Sequence, residues 1–579
     1  MEMDKIWRVN LSDLSVKSEP VPAAWAGLGG RALTSTIVAA EVPPTCNAIG
    51  PRNKLVFAPG LLTGTVAANS GRLSAGSKSP LTGGIKESNV GGTAGQMLAK
   101  LGVKAIIVEG LPKDESKWYG IYINKDGLRI EEETETIGKG NFETVQILNE
   151  RVTKRVGVVV LGPAGEMKML TSNISVKDPE SHIRSLGRGG LGAVMGSKKL
   201  KFIAVDASGA TGMPIVDPEK FKAAGKVWAD ALMAHPVSGT GLKVYGTNIL
   251  INILQEAGGL PTHGFSAGQF VDHDKISGEF MYETIVKRHG NPSHSCHPGC
   301  LIQCSQVYND AEEKYMTSGM EYETVWALGA NGGITDLDQI AEADNIMDDL
   351  GMDSIETSVM FCVAMEGGAL PWGDGAEVVR ILKEEIAKGT PFGRLLGAGT
   401  EAVGKAYGVR RIPVVKHQAI PAYDPRSVKG IGITYATTTM GADHTSGYTI
   451  ATNILGVGGH VDPLKKDGQI DLSRNLQIAT AAVDSTGMCI FVAFPVLDST
   501  ACFQALLDLI NARYGIALTG DDVVGLGKYV LTTEHNFNLA AGLTNKDDRL
   551  PEFFELETIA PHNAIWDFTP EEIDTFWNF

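Results

Sequence analysis

Lys201-Phe202-Ile203-Ala204-Val205, followed by Asp206-Ala207-Ser208-Gly209-Ala210-Thr211-Gly212-Met213-Pro214, is where the chain changes texture. The first five residues are an apolar run of strand length, and the nine after them are small and turn-forming, a linker by composition. Toward the N-terminus the same kind of run recurs in Lys54-Leu55-Val56-Phe57-Ala58, Ala105-Ile106-Ile107-Val108, Gly120-Ile121-Tyr122-Ile123 and Val156 to Leu161. Each is short, β-rich and bounded by turn residues such as Lys125-Asp126-Gly127, so strands are expected. Toward the C-terminus, Asp217-Pro218 supplies an N-cap and an N1 proline for a helix to about Ala234. Asp336 caps another helix, whose apolar positions Ile340, Ala343, Met347 and Leu350 recur at helical spacing and whose stop is Gly351. A second shift, basic and Pro-containing, lies at Arg410 to Pro421. Three units are therefore expected: a β-rich one over 1–208, a helical one with clustered cysteines over 209–410, and a mainly helical one over 411–579.

With 579 residues, 43% hydrophobic and 20% charged, and no low-complexity tract, the composition is that of a globular protein. The 69 glycines have no collagen-like period and exceed the usual ~7%, which implies many tight turns and close backbone approaches. Lys and Arg number 51 against 67 Asp and Glu, a net charge of −16 that disfavours nucleic acid and anionic membrane and suits a soluble enzyme. No apolar core of a leader follows Met1-Glu2-Met3-Asp4-Lys5-Ile6-Trp7-Arg8. The most apolar stretch, Ile478 to Leu497, is broken by Asp484, Ser485 and Thr486, so neither a signal peptide nor a spanning helix is expected and the location reads as cytoplasmic.

The 7 cysteines form no disulfide framework, yet three stand together in Cys296-His297-Pro298-Gly299-Cys300-Leu301-Ile302-Gln303-Cys304. Pro298-Gly299 prevents a helix, so the thiols are read on a loop around a compact metal centre. Cys489 is the best remote fourth ligand, completing the three-plus-one pattern of a cubane iron–sulfur cluster. Structural zinc completed by His294 or His297 is a second reading, and buried thiols without a metal a third.

Gly187-Arg188-Gly189-Gly190-Leu191-Gly192 matches the dinucleotide pattern G-x-G-x-x-G, with Asp206 ending the next strand. The context argues against it: Ser181 to Leu186 makes a poor strand, and few residues separate Gly192 from Lys201 for a crossover helix. Successive glycine amides beside Arg184 and Arg188 still suit a phosphate, the plainer alternative being a structural turn. One short motif occurs twice, in Asp348-Asp349-Leu350-Gly351-Met352-Asp353 and Asp484-Ser485-Thr486-Gly487-Met488-Cys489, and no array-type repeat is evident. An acid at the C-terminal end of a helix is opposed by the helix dipole, as Asp348 is here. Such a carboxylate can accept paired hydrogen bonds from a ring with adjacent N–H donors, such as a pterin or guanine edge. Chance capping would explain one copy more easily than two.

Further segments are Lys78-Ser79-Pro80-Leu81-Thr82-Gly83, Ser88-Asn89-Val90-Gly91-Gly92, Arg184 through Gly196-Ser197-Lys198, Glu321-Tyr322-Glu323-Thr324-Val325-Trp326 through Asn331, and Pro421-Ala422-Tyr423-Asp424-Pro425-Arg426. Together with the doubled motif, they resemble the tungsten- or molybdenum-containing aldehyde ferredoxin oxidoreductase family over nearly the full length. The resemblance implies an α+β fold: an N-terminal β domain of two sheets forming a base for a bis-pterin, followed by two mainly helical domains. It also implies one tungsten or molybdenum held by the dithiolenes of two pterins, a magnesium between the pterin phosphates, and one [4Fe-4S] cluster. Carried onto this chain, the cluster ligands fall on Cys296, Cys300, Cys304 and Cys489. The pterin contacts fall on Arg72, Asn89, Gly91, Arg184, Ser185, Gly187, Arg188, Asp348, Met352, Asp353, Asp484 and Met488. The magnesium ligands fall on the Asn89 side chain and the Ser185 carbonyl, and the acid/base pair on Glu323 and His444. Taken without the family, Glu323 reads as a solvated helix-face acid and His444 as a satisfied core histidine.

Two features depart from the family. Three residues, not two, separate Cys296 from Cys300, and Met440 and Ser446 stand where well-known members carry basic residues. The implied reaction converts an aldehyde and water into a carboxylic acid, with His444 hydrogen-bonding the carbonyl oxygen and Glu323 handling the proton of water. Electrons would leave singly to ferredoxin or a small iron–sulfur subunit, without direct reduction of a nicotinamide, from a monomer or an oligomer. Two other readings stand beside it: a low-potential reductase of carboxylic acids or aromatic acyl-CoA, and a non-catalytic scaffold subunit. Retention of four cysteines with Glu323 and His444 speaks against the scaffold.

Overall fold

A computed structural model describes residues 4–579, so the first three residues of the stretch read for a leader lie outside the described residues. The five apolar runs and the segments between them, up to Val205, form two six-stranded sheets. The first contains β1 (Lys5–Asn10), β2 (Ser15–Pro20), β3 (Leu55–Pro59), β4 (Leu73–Lys78), β5 (Ile85–Val90) and β6 (Val103–Glu109), in the order β2-β1-β6-β3-β4-β5. The second contains β7 (Trp118–Asn124), β8 (Gly127–Glu133), β9 (Gly157–Val160), β10 (Ile174–Lys177), β11 (Ile183–Leu186) and β12 (Leu200–Val205), in the order β8-β7-β12-β9-β10-β11. The two orders are the same, each strand of the first sheet corresponding to the one six later. The senses agree as well: β1/β6 and β7/β12 are parallel, and every other neighbouring pair is antiparallel. The chain up to Val205 is thus a topological duplication that no sequence period announces.

Side-chain alternation explains why these strands read as unbroken apolar runs. Leu55, Phe57, Ile106 and Val108 of the first sheet pack on Ile121, Ile123, Val159 and Ile203 of the second. Their neighbours Val56, Ala58, Ala105 and Ile107 turn to Leu33 and Ile37 of helix Gly30–Glu41, while Tyr122, Val158 and Val160 turn to Val145 and Leu148 of helix Asn141–Arg151. Both faces of both sheets are covered, so both parities are apolar. The outer strands β5 and β11 lie against each other, forming a seam between the sheets.

After Val205 helices dominate. Asp217 caps Pro218–Ala234 by accepting the Lys220 N–H at 3.0 Å, and Asp336 caps Leu337–Leu350. The cysteine segment is a loop, as Pro298-Gly299 suggested, but it joins strands: β13 (Asn291–His294), β14 (Ser305–Asn309) and β15 (Tyr315–Ser318) form a small antiparallel sheet. This sheet is polar and short, which is why apolar periodicity gave no sign of it. Among the described residues no helix is long and apolar enough to cross a membrane.

The doubled Asp-x-x-Gly-Met motif ends two helices, Leu337–Leu350 and Gln469–Thr486, with left-handed glycines Gly351 (φ +71°) and Gly487 (φ +82°). Each glycine touches another that follows a corresponding strand: Gly487 meets Gly60 after β3, and Gly351 meets Gly162 after β9. Gly487→Ala and Gly351→Ala are each expected to lower unfolding free energy by about 2 kcal/mol in denaturant titrations, because a left-handed backbone is combined with crowding, the new methyl pressing on Thr63 Oγ1 and Gly60 in the first and on Gly162 in the second. Gly212→Ala, at φ +83° in open space, should lose only the conformational part, about 1 kcal/mol.

Candidate active site

A cavity of about 420 Å³ lies over the β5–β11 seam. Helix Tyr322–Leu328, the loop around His444 and the C-terminal ends of the two motif helices enclose it. Of the cluster, pterin, magnesium and acid/base positions implied by the resemblance, all but Met488, Cys300 and Cys489 line it, and His294 and His297 do not. Asn89 and Ser185 hold corresponding places, next to last on β5 and β11, and Gly91 and Gly187 follow just after each strand. Ile183–Leu186 is a strand, contrary to the sequence expectation, because the edge position tolerates its polar Arg184 and Ser185. The dinucleotide reading still fails: β11 pairs antiparallel with β10, and β12 pairs with β7 and β9 instead.

The acids of the doubled motif face the cavity. Asp484 accepts the Asn89 side-chain amide at 3.2 Å through Oδ1 and Arg31 at 3.2 Å through Oδ2. Asp348 is pushed well above the usual carboxylate range by burial and by Asp344, one turn earlier on the same helix. Asp353 is partly engaged within the protein: its Oδ1 caps helix Ser354–Glu366 through the Ile355 and Glu356 amides, and its Oδ2 lies 3.4 Å from Arg188. Met352 lines the cavity beside these acids, whereas Met488 is fully buried in the core behind Cys489.

Asn69 assembles the thiols. Its amide donates to Gly299 O at 3.0 Å, its Oδ1 accepts the Leu301 amide at 3.0 Å, and its carbonyl accepts the Cys489 amide at 2.9 Å. Its Nδ2 lies 3.5 Å from Cys300 Sγ, while Arg72 approaches Cys489 Sγ at 3.4 Å. Donor atoms of Cys296, His297 and Cys300 lie within 4.8 Å of one another. Contact with Cys300, helped by His297 and Arg72, holds the Cys296 thiol low, and burial pushes Cys304 up. The extra residue between Cys296 and Cys300 is absorbed in a turn, where the Cys300 amide bonds His297 O at 3.2 Å and Gly299 adopts φ +83° in open space. His294 is drawn elsewhere, its Nε2 lying 2.7 Å from Asp178.

Glu323 and His444 meet: Oε1 lies 3.2 Å from Nε2, and Oε2 accepts the Ala422 amide at 3.0 Å. Burial pushes Glu323 up to about 8 against the pull of Arg188, and burial lowers His444 to about 4. At pH 7 the pair is therefore a carboxylic acid beside a neutral imidazole. The neighbouring Asp443 stays ionised despite burial, held by Lys86 at 3.1 Å and by Arg188. Lys86 of β5 thus brings a cation to the loop on which Met440 and Ser446 carry none.

Sequence reasoning missed Glu321, Asp344, Arg31 and Glu87, all lining the cavity. Asp344 had a signal, standing four residues before Asp348 on a helix face. Arg31 and Glu87 gave none, being an arginine and a glutamate in otherwise ordinary segments. Burial pushes Glu321 and Asp344 each up to about 7, and Glu87 up to about 8. Around the cavity, Nε of Arg72 and Arg184, Oγ of Ser185 and Oε1 of Glu87 are buried without a partner. Unsatisfied guanidinium donors opposite carboxyl groups suit a large polar ligand bearing both anionic groups and ring N–H donors.

Fold and cavity together define a large polar ligand site, beside clustered thiols, on a duplicated β base. The profile described as aldehyde ferredoxin oxidoreductase, N-terminal domain, matches residues 6–207, and that for domains 2 and 3 matches residues 223–570. The tungsten-containing aldehyde ferredoxin oxidoreductase of Pyrococcus furiosus is 38% identical over 567 residues, covering 94% of this chain and 90% of that protein. Its counterpart in Thermococcus kodakarensis is 36% identical over 569 residues, with 94% and 90% covered. The active site complex BamBC of benzoyl coenzyme A reductase, solved with 1,5-dienoyl-CoA, shares the fold at a TM-score of 0.81 and 19% identity, covering 99% of this chain and 94% of that one. The chain belongs to the aldehyde ferredoxin oxidoreductase family.

The buried pair of Arg31 (2% exposed) and Glu534 (0%) braces Asp484 from behind, with N–O distances of 3.0 and 2.8 Å. Arg31→Met strands the Glu534 charge and should cost about 3–5 kcal/mol in denaturant unfolding, whereas Arg31→Met with Glu534→Met should recover most of the loss.

Proposed function

We propose that this chain oxidises aldehydes to carboxylic acids, an aldehyde and water becoming an acid, two electrons and two protons. The observation that carries the reading is that the cysteine loop and the Glu323–His444 pair open onto one cavity, Cys296 and Cys304 lining it together with the acid and the imidazole. A tungsten, or alternatively molybdenum, bis-pterin bound there would supply the two-electron chemistry, and a [4Fe-4S] cluster the one-electron relay. Arg72, Arg184, Arg188 and the amides around Gly91 and Gly187 would hold the pterin phosphates, with the Asn89 side chain and the Ser185 carbonyl as magnesium ligands. Asp348, Asp484 and, in part, Asp353 would accept from the pterin rings, with Met352 and Met488 packing nearby. Cys296, Cys300, Cys304 and Cys489 would hold the cluster. His444 donates an N–H to the substrate carbonyl oxygen, which a neutral imidazole can do throughout the physiological range. Glu323, once deprotonated, takes the proton of the attacking water. The electron acceptor is a ferredoxin or a small iron–sulfur subunit. The two tungsten-containing aldehyde ferredoxin oxidoreductases named above, at 38% and 36% identity, support this direction over acid or acyl-CoA reduction, and Cys296, Cys304, Glu323 and His444 lining one cavity support an enzyme over a scaffold. The domain limits at 208 and 410 belong to this proposal.

Protein purified without oxygen should contain about one tungsten or molybdenum and about four irons per chain and reduce a viologen dye with an aldehyde. Stoichiometric zinc with neither heavy metal would overturn the reading. Cys489→Ala should lose iron, whereas Cys46→Ala should not.

Glu323 holds its proton below about 8 and becomes a base above it, so kcat/KM should rise as pH is raised through about 8. Glu323→Gln should flatten that limb and lower turnover roughly 10²-fold with metal content unchanged, and His444→Asn should cost a similar factor. A wild-type pH profile in Glu323→Gln would reassign the residue to structure.

A further inference from the structure

We propose that the substrates this chain prefers carry an aryl group, seated against Tyr448 and Phe494 beside the Glu323–His444 pair; this rests on the aldehyde-oxidising reading above. A run of rings leads away from the pair along the cavity wall. His444 and Tyr448 have centroids 6.2 Å apart at 66°, Tyr448 and Phe494 6.2 Å apart at 76°, and Phe494 and Phe491 6.1 Å apart and nearly parallel at 9°. All four line the cavity, and half-buried Phe491 and Leu497 mark its outer part.

The polar ends of this wall are turned on each other. The hydroxyls of Tyr423 and Tyr448 pair at 3.0 Å, and Tyr423 stands 5.7 Å from His444, so ring edges and faces rather than hydroxyls meet a ligand there. Aromatic rings gain beyond their buried area when a further ring joins edge-to-face or offset-stacked at 4.5–7 Å separation, the spacing this wall already shows.

Charge points the same way. Among the described residues no lysine lines the cavity, and of its four arginines Arg72, Arg184 and Arg188 are committed to the pterin phosphates in the reading above. Arg31 binds Glu534 and Asp484, Arg72 meets Cys489 and Asn89 O, Arg184 binds Asp178 and Ser318, and Arg188 meets Asp353 and the Ala419 carbonyl. A phosphate or carboxylate on the aldehyde would find no free counter-charge beside the rings, and a two-carbon aldehyde would leave them unfilled.

The test compares benzaldehyde, acetaldehyde and glyceraldehyde 3-phosphate on the anaerobically purified holoenzyme with a viologen acceptor. Benzaldehyde should exceed each of the others in kcat/KM by at least about 10-fold. Phe494→Leu, which keeps apolar bulk but removes the ring, and Phe491→Ala, at a half-buried position, should each lower the benzaldehyde-to-acetaldehyde ratio several-fold. A ratio measured on one preparation does not depend on the fraction folded or loaded. Acetaldehyde or the phosphorylated aldehyde matching benzaldehyde, or a ratio unchanged in both variants, would overturn the inference. If metal-loaded protein oxidises no aldehyde, the aldehyde-oxidising reading fails; calorimetry then decides the aryl site alone, benzoate binding at least about 10-fold tighter than acetate retaining it and equal binding removing it.

Discussion

The site depends on two places where backbone lies directly on backbone, Gly487 against Gly60 and Gly351 against Gly162. These contacts fix the ends of two helices to corresponding loops of two corresponding sheets. The hydrogen bonds repeat as well. The amide of Arg72, just before β4, donates to Gly487 O at 3.0 Å, and the amide of Asn173, just before β10, donates to Gly351 O at 2.8 Å. Three residues before each glycine stands an acid, Asp484 or Asp348, delivered to the cavity at the end of a helix where the dipole disfavours it. A residue larger than glycine at these contacts would push both acids away from the seam. The outcome is a cavity with approximate twofold character: one edge strand, one glycine turn and one carboxyl from each half. Such a frame fits two copies of one ligand, as a bis-pterin would be.

The frame becomes asymmetric two residues beyond each glycine. There the first half presents Cys489, whose amide bonds Asn69 O at 2.9 Å, and the second presents Asp353, whose amide bonds Thr171 O at 2.7 Å. One position thus places a thiol beside Cys300 and Arg72, and its counterpart places a carboxylate beside Arg188. From this single difference follows a division of labour across the cavity. The thiol side gathers polarisable sulfur and suits electron transfer. The other side gathers Asp353, Arg188 and Glu323, two buried carboxyl groups and a guanidinium.

Much of this was legible in the residues. Helix limits at Asp217-Pro218, Asp336 and Gly351 follow from capping chemistry, which acts within a few residues. Five of the twelve strands followed from apolar runs, and most cavity residues from the family resemblance that the motifs carry. What escaped depends on contacts distant in sequence. The duplicated topology leaves no periodic trace, because both sheets need only apolar residues of either parity. Arg31 escaped because its partners stand about 450 and 500 residues away, at Asp484 and Glu534. The edge strand Ile183–Leu186 escaped because a strand of four residues with two polar positions is shorter than any pattern that periodicity can resolve.

Burial sets the protonation states from which any chemistry here starts. Glu323, Glu87, Asp344 and Glu321 are all raised toward neutrality or beyond it by loss of water, while Asp443 and Asp178 keep their charge because a cation or imidazoles stand against them. The buried acids therefore fall into two kinds: Asp443 in the cavity and Asp178 outside it, each held as an anion by fixed partners, and those for which burial outweighs the cations nearby. Only the second kind can exchange protons near neutral pH, since a locked anion would have to break its ion pair to do so. Among that second kind, Glu323 alone touches an imidazole, with Oε1 3.2 Å from His444 Nε2. That proximity sets Glu323 apart from them on geometry rather than on pKa, and it leaves Glu323 Oε1 and His444 Nδ1 buried without a hydrogen-bond partner, two atoms able to meet a ligand.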